Sequence, residues 1–205
     1  MKTSNYILIS FFTFIVGSIF VLFIAAIGRE NDPYDYPNSE KKEYSLGDFS
    51  VIVVESAINI EFKSSENNSL SFPFPKDKEM NEKPFRMNND TLVIYPVPGF
   101  ELHHSLRVSG SKLSTIIAKN SSHIRVDRIN SEMFSVDVQQ TTFTLDNSEI
   151  RELNIQGDRS RIRIYSNKVD SLSARLKNES FLDIYKNINK INIEKDETSR
   201  YSLYR

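Results

Sequence analysis

The chain of 205 residues contains no cysteine and no tryptophan, and only three histidines, six glycines and seven prolines. Without cysteine there can be no disulfide, thiolate metal site, cysteine nucleophile or lipoprotein anchor. The net charge of -1 at pH 7 is not the basic excess of a typical nucleic-acid-binding domain, so we predict no nucleic-acid partner. The sequence also contains no zinc-protease motif, no nucleophile elbow and no glycine-rich phosphate loop, and we expect no cofactor.

One uncharged, apolar run is present, from Tyr6 to Gly28. As a helix it would be about 34 Å long, enough to span a hydrocarbon core of about 30 Å. Lys2 precedes the run and acidic residues follow it, so the positive-inside rule places the N-terminus in the cytoplasm. We predict an anchor over residues 1–28 that contacts the membrane through residues 6–28. The alternative is a cleaved signal peptide, whose apolar region is usually shorter.

A polar segment separates this run from the rest of the chain. Residues 29–47 contain Pro33 and Pro37 among many charged side chains, which is typical of a flexible linker. Residues 48–205 then form the exported domain, which would be periplasmic in a Gram-negative cell. We divide it into irregular strands and a loop over 48–110 and regular coils over 111–205.

The first part of this domain shows short runs of alternating apolar and polar residues, which predict β-strands. Pro73 and Pro75 interrupt one run, which favours an edge position or a loop for it. The charged and prolyl segment 75–90 predicts a long surface loop. The predicted strands cover residues 49–54, 58–62, 70–74 and 92–95, with another beginning at 106.

A 19-residue repeat occupies the second half of the chain. Each repeat contributes one residue to a first column and, about nine residues later, one to a second column. These residues are apolar except Thr115, and the residue two positions after each of them is also apolar. A Ser or Thr lies two residues before the second column. The first column is Thr115, Phe134, Leu153, Leu172 and Ile191, and the second is Ile124, Phe143, Ile162, Leu182 and Tyr201.

This spacing predicts an all-β fold, a β-solenoid. Residues i and i+2 of a strand share a face, so each repeat points two pairs of side chains inward. A fixed repeat lets successive coils stack at about 4.8 Å and close a continuous core. We expect a right-handed solenoid of about 19 residues per coil, following the single transmembrane helix. The 20-residue step before Leu182 predicts a bulge or a longer corner. An antiparallel sandwich with accidental spacing is the alternative.

Two groups of residues are candidates for chemistry. Asp127 and Asp146 are 19 residues apart and each follows a predicted strand, so stacking would bring their carboxylates to about 5 Å. That separation suits a calcium ion or a retaining glycosidase, although aspartate is also common in corners for structural reasons. His103 and His104 are a potential metal pair, but neighbours on a strand point to opposite faces, which favours a polar loop.

The sequence resembles the DUF2807 family, whose members occur mostly in Bacteroidetes and are described as putative autotransporter adhesins with a head GIN domain. The segments that carry the resemblance are 49–54, 57–62 and 89–95, and the coil segments 120–126, 140–145 and 158–164. The family is often rich in glycine at its corners, whereas glycine is rare here after residue 47. The resemblance implies an exported β-helical domain, and it extends over roughly residues 48–205.

Together these features predict a membrane-anchored, extracytoplasmic binding or scaffolding protein of the cell envelope, adhesin-like and without catalysis. Its expected partners are an envelope protein, a glycan or a second copy, the last of these at the C-terminal coil, whose final strand has no cap after it. The alternative is a carbohydrate-active or calcium-binding β-helix with its site at Asp127 and Asp146. A membrane-tethered sensor is a weaker option, because only five residues precede the membrane.

Overall fold

The structure, a computed structural model, describes residues 39–55, 57–80, 82–96, 105–120, 123–165, 168–185 and 188–204, together with Val16 and Ser18. Contacts divide the chain into residues 1–37 and 38–205, and the strands below all belong to the second unit. Of the predicted anchor, only the two isolated residues are described. Within the described residues, no helix has both the length and the hydropathy to cross a membrane.

The described part of the second unit consists of β-strands, which confirms the all-β prediction. Sheet A has the strand order β1-β4-β7-β3-β9-β11-β13-β15-β17, and sheet B has the order β16-β14-β12-β10-β8-β2-β6-β5. The strands are β1 (Ser39–Ser45), β2 (Val51–Val54), β3 (Asn59–Ser64), β4 (Ser69–Pro75), β5 (Phe85–Asn88), β6 (Thr91–Ile94), β7 (Leu106–Gly110), β8 (Thr115–Lys119), β9 (His123–Asp127), β10 (Asn130–Gln139), β11 (Thr142–Asp146), β12 (Glu149–Asp158), β13 (Arg161–Tyr165), β14 (Lys168–Lys177), β15 (Phe181–Ile184), β16 (Lys190–Lys195) and β17 (Arg200–Leu203).

From β8 onward the chain winds as a β-solenoid, as the repeat predicts. Each coil contributes one strand to sheet B and the next strand to sheet A, and each strand pairs in parallel with its equivalent one coil later. Leu153, for example, is paired with Phe134 on one side and with Leu172 on the other. A single strand, or a single coil, buries too little apolar surface to be stable alone. Stability comes from stacking the coils so that the two sheets enclose a shared core.

The region before β8 also forms coils, but the chain visits them out of spatial order. β2 and β3 stack in parallel directly on β8 and β9, with Val51 paired to Thr115. β6 and β7 stack on the opposite side of β2 and β3. The segment 48–110, for which the sequence predicts irregular strands and a loop, therefore holds two additional coils. Because the chain visits them out of spatial order, they show no constant repeat.

Antiparallel strands cover the end formed by β6 and β7. β4 pairs with β7 and β1 pairs with β4 in sheet A, while β5 pairs with β6 in sheet B. β1 lies within residues 29–47, so residues 39–45 are not part of a flexible linker. The physical reason is Tyr44, whose ring packs on Phe72 at 6.1 Å and against Phe85 at 5.3 Å, measured between centroids.

The predicted loop over 75–90 is likewise partly a strand, because β5 forms a hairpin with β6 through a turn at which Asn89 has a φ of 53°. Pro73 and Pro75 belong to β4 and not to a loop. β4 pairs with β7 only over Ser69–Ser71, so both prolines lie where β4 has only β1 beside it. A proline has no N–H to donate, and a strand with one neighbour tolerates it.

The inward columns form a narrow core. The described residues of both columns from Phe134 to Leu182 are at most 2% exposed. Thr115 is the exception that corrects the prediction: Ser135, not Phe134, is its partner in β10, and Ile116 and Ala118 point inward in its coil. The corner after β8 is one residue longer than the corner after β10. One extra residue shifts the register of a strand by one, so the side chains that faced outward face inward.

Corners of the solenoid use left-handed backbone at residues other than glycine. Asn120, Gln140 and Arg159 each have a φ between 50° and 52°, and they lie 19 or 20 residues apart. At the 20-residue step before Leu182, Asn178 and Glu179 both have positive φ, so the additional residue is accommodated as a longer corner. Asparagine tolerates this conformation better than most residues do, which accounts for corners with so little glycine.

Candidate binding surface

The outer face of sheet A carries three columns of side chains between the inward ones. Register places one residue of each strand in each column. From β9 to the last coil, the columns are His123, Thr142, Arg161, Phe181 and Arg200; Arg125, Thr144, Arg163, Asp183 and Ser202; and Asp127, Asp146, Tyr165, Tyr185 and Tyr204. Charged side chains predominate in the middle of this face, and aromatic side chains predominate in its C-terminal part.

Asp127 and Asp146 are direct neighbours in the sheet, at the positions that their spacing predicts. Asp146 accepts a hydrogen bond from Arg125 Nε at 2.8 Å. Asp127 is 3.0 Å from Arg128 Nε and accepts a second hydrogen bond from Asn147 Nδ2 at 2.9 Å. Each carboxylate thus already has a guanidinium partner, and no cluster of three or more potential metal ligands occurs among the described residues. This arrangement favours a structural role for both aspartates.

The ionic pattern continues across the next coils. Arg161 contacts Asp183 at 3.2 Å, and the carboxylate side of this pair is largely buried. His123 lies beside the same network, and its pKa is lowered from 6.5 by burial and then by the positive charges of Arg163 and Arg125. The imidazole is therefore a neutral member of the face at pH 7. His103 and His104, the other candidate ligands, lie outside the described residues.

Three tyrosines stack along the last coils, and we call Tyr165, Tyr185 and Tyr204 the tyrosine ladder. Their ring centroids are 4.4 and 4.5 Å apart, with interplanar angles of 20° and 6°. The pKa of Tyr185 is raised by desolvation and by its hydrogen bond with Tyr165. Stacking covers ring faces within the ladder, so a sugar could not stack on Tyr185. The free face is on Tyr204, which directly follows β17, the last described strand of sheet A.

The last coil leaves the end of the core open. Tyr201 and Leu203 are 46% and 47% exposed, whereas Leu182 and Ile184, their equivalents one coil earlier, are fully buried. Ile191 of β16 is also 39% exposed. Of the eight described large apolar side chains that are at least 38% exposed, six lie between residues 181 and 204. An apolar patch of this kind on an otherwise charged domain marks an interaction surface.

Hydroxyl groups join the coils at one corner. The N–H of Thr141 donates to Ser160 Oγ, that of Ser160 to Ser180 Oγ, and that of Ser180 to Ser199 Oγ, at 3.1 to 3.2 Å. Ser199 lies in the last described coil, and its N–H donates instead to the Asp196 carboxylate at 2.8 Å. Hydrogen bonds, first among them one from the Asn178 N–H, lower the pKa of Asp196 far below its ordinary value. Asp196 therefore closes this corner.

Sequence reasoning missed several of these residues. The column of Ser and Thr residues was found from its spacing, but its hydrogen bonds were not predicted. The tyrosine ladder follows the same 19- and 20-residue steps as the core and could have been found in the same way. Arg125 and Asp196 had no such signal, because their roles depend on a diagonal contact and on the end of the stack. A depression of about 440 Å³ beside this corner is lined by Arg159, Asn178, Glu179 and Thr198. That lining is polar, unlike a typical small-molecule site.

Solved structures with a similar fold include a putative lipid binding protein from Parabacteroides distasonis, with 15% identity and a TM-score of 0.62. The match covers 82% of this chain and 73% of that one, and it shows the fold alone. A putative adhesin from Bacteroides fragilis matches 82% of this chain and 97% of its own at 8% identity, with a TM-score of 0.49. One from Parabacteroides distasonis matches 83% and 95% at 11% identity, with a TM-score of 0.48.

The chain matches no curated protein. The sequence model of the DUF2807 family, described as "Putative auto-transporter adhesin, head GIN domain", matches residues 48–198, which is most of the chain and includes nearly all of the solenoid. The match covers more than half of the chain, and the chain belongs to the DUF2807 family.

Proposed function

We propose that this chain is a membrane-anchored binding protein of the cell envelope, adhesin-like and without catalysis. In this proposal residues 6–28 hold the chain in the membrane, and a right-handed solenoid over residues 48–205 lies outside the cytoplasm. The partner binds at the open end formed by the last coil. The observation that carries the proposal is the concentration of exposed apolar side chains between residues 181 and 204.

The chemistry of the surface supports binding over catalysis. Asp127 and Asp146, the strongest candidates for catalytic carboxylates, are each paired with an arginine, and Asp127 also accepts a hydrogen bond from Asn147. A catalytic acid usually lies in an apolar or acidic surrounding, whereas each of these carboxylates has a guanidinium neighbour. The open end, in contrast, presents unpaired strand edges and apolar side chains, which are the usual components of a protein interface.

Membrane anchoring has its own test. The full chain is expressed in bacteria with a tag at each terminus, and the membranes are washed with alkaline carbonate. We expect the chain to stay with the membranes, and protease added to spheroplasts should remove the C-terminal tag and spare the N-terminal one. A soluble chain without its N-terminal tag would contradict the anchor and support a cleaved signal peptide.

Binding at the open end is tested on beads that carry the full chain. We expect the beads to retain envelope fragments, and a Leu203→Ser variant to lose most of this retention. Met133→Ser is the matched control, because Met133 is 52% exposed but lies away from the last coils. Equal retention by both variants would show that the open end is not the binding surface.

A further inference from the structure

The open end has the features of a self-complementary surface. We infer that its partner is a second copy of this chain, bound tail to tail with β16 against β16 across a two-fold axis perpendicular to the sheets. This inference rests on the proposed function for the location of the surface and adds the identity of the partner.

Backbone geometry shows which groups a partner would meet. Asp196 N–H donates to Leu176 O in β14. Because the N–H and C=O of successive residues point to opposite sides of a strand, those of Ile191 and Ile193 point away from β14. In sheet A, the N–H of Arg200 donates to Ser180 O, just before β15, and the N–H of Tyr204 donates to Ile184 O in β15. The backbone N–H and C=O groups of Tyr201 and Leu203 therefore point to the open edge. A pairing strand would satisfy these groups.

Head-to-tail stacking of copies is disfavoured by both ends. At the other end, β6 and β7 are covered by the antiparallel strands β5 and β4. At the open end, Lys195 occupies the inward column that Leu176 and Val138 fill in earlier coils. An inward-pointing charge on an edge strand opposes a further coil in the same register. A contact between two identical ends needs no second surface, so a closed two-fold pair remains.

The sequence of β16 is complementary to itself in one antiparallel register. With Asn192 on the two-fold axis, Ile191 of each copy lies opposite Ile193 of the other, and Lys190 lies opposite Glu194. The apolar pairs then lie on the inward face and the oppositely charged pairs on the outward face. Ile191 and Ile193 point their backbone groups to the open edge, so they form the hydrogen-bonded pairs that this register needs.

The same axis passes close to Tyr204 in the other sheet. A Cβ on Gly157 would lie 2.8 Å from Ile162 Cδ1, so these two positions face each other across the core. Two coils later their equivalents are Lys195 and Tyr201. Asn192 is three residues further from the corner than Lys195, and Tyr204 is three residues further from it than Tyr201. Asn192 and Tyr204 therefore lie level with each other in the two sheets. The free face of Tyr204 would then stack on that of the second copy, which continues the tyrosine ladder through the interface.

The pair would place its two β1 strands far apart. Sheet A has nine described strands, with β1 at the edge opposite β17. Two such sheets that meet at their β17 edges would separate the two β1 strands by about 80 Å, at the usual strand spacing of about 4.8 Å.

Cysteine crosslinking tests the register, since the chain has no cysteine of its own. Asn192 would form a non-hydrogen-bonded pair with a Cα separation of about 4.5 Å, which a disulfide can bridge. We expect the full-length Asn192→Cys variant, purified in mild detergent, to form a covalent dimer on oxidation. The control is Ser173→Cys, which is also exposed and is the partner of Asn192 one coil inside. It should remain uncrosslinked.

Charge reversal gives a second readout. Lys190→Glu and Glu194→Lys should each weaken the dimer roughly tenfold, because like charges would face each other twice, and an equimolar mixture should restore it. A monomeric wild-type chain by light scattering, with equal crosslinking of the two cysteine variants, would overturn the inference. The bead experiment separates the outcomes: retention lost with Leu203→Ser on envelopes that lack this chain would preserve the binding function and assign it another partner.

Discussion

The two ends of the solenoid are completed differently. At the β6–β7 end, the chain folds back and covers the β6–β7 coil with β1, β4 and β5. Phe72 of β4 is 2% exposed within this cap. At the β16–β17 end, equivalent inward positions remain 39% to 47% exposed. A stack of identical coils has no natural limit, so each end needs a separate solution. This chain encodes one solution in its own strands, and in our proposal a second copy supplies the other.

The largest expected difference between the ends is in core stability. Phe72→Ala should destabilise the domain by about 3–5 kcal/mol, because it empties a filled position under the cap. Tyr201→Ala should cost about 1 kcal/mol or less, since the ring is already half exposed in one chain. Denaturant unfolding at low protein concentration measures both. Equal losses would mean that the open end is packed as tightly as the capped one.

A hydrogen bond inside the stack should matter next. Ser180→Ala removes the acceptor of the buried Ser160 N–H and should cost about 1–3 kcal/mol. The control, Ser173→Ala, changes an outward hydroxyl and should stay within about 0.5 kcal/mol of wild type. The same unfolding experiment compares them, and similar values for the two variants would remove the corner hydroxyls from the account of stability.

At the open end, the equivalent bond is made by Asp196. Asp196→Ala should leave global stability nearly unchanged but loosen the last coil, seen as faster amide exchange at Ser199. Because the pKa of Asp196 is lowered, its stabilising effect is present above its ordinary value of 3.8 and is lost as the pH falls below it. Wild-type exchange should therefore approach that of the variant in acid, and identical exchange at pH 7 would contradict this role.

The smallest effect concerns the middle of the stack, away from both ends. Since the pKa of His123 is lowered in the folded chain, the unfolded chain binds its proton more readily. Stability should be complete above about pH 6.5 and decline as the pH falls below that value. His123→Gln should flatten this part of a stability-against-pH curve. A variant curve parallel to that of the wild type would show that another group is responsible.

The regular coils were predictable because equivalent core residues recur every 19 positions, as Phe134, Leu153 and Leu172 do. Thr115 was misplaced since Ile116 and Ile117 are both apolar, so alternation alone cannot choose the inward one. The choice is made by pairing with β2, which lies 64 residues earlier. Long-range register of this kind has no local signature.

The cap was less predictable than the coils for a related reason. β1 reads as a charged linker, with Tyr44 as its main apolar contact, and its strand exists because β4 offers an edge to it. The Asp127–Asp146 neighbours followed from the repeat, but their arginine partners did not. Arg125 reaches Asp146 diagonally, and Arg128 lies in a corner. Spacing predicts which residues share a column, whereas side-chain contacts across columns depend on the folded geometry.

Amide hydrogen exchange on the full chain, at high and low concentration, tests the central contrast most directly. We predict that Ile191 and Ile193, whose N–H groups point to the open edge and face the second copy in the proposed register, are protected at high concentration and exchange freely on dilution. Amides of β1 and β4 in the cap should show no such dependence. Exchange at the open edge that is equally fast at every concentration, or equally slow, would contradict the claim that a second copy completes this end.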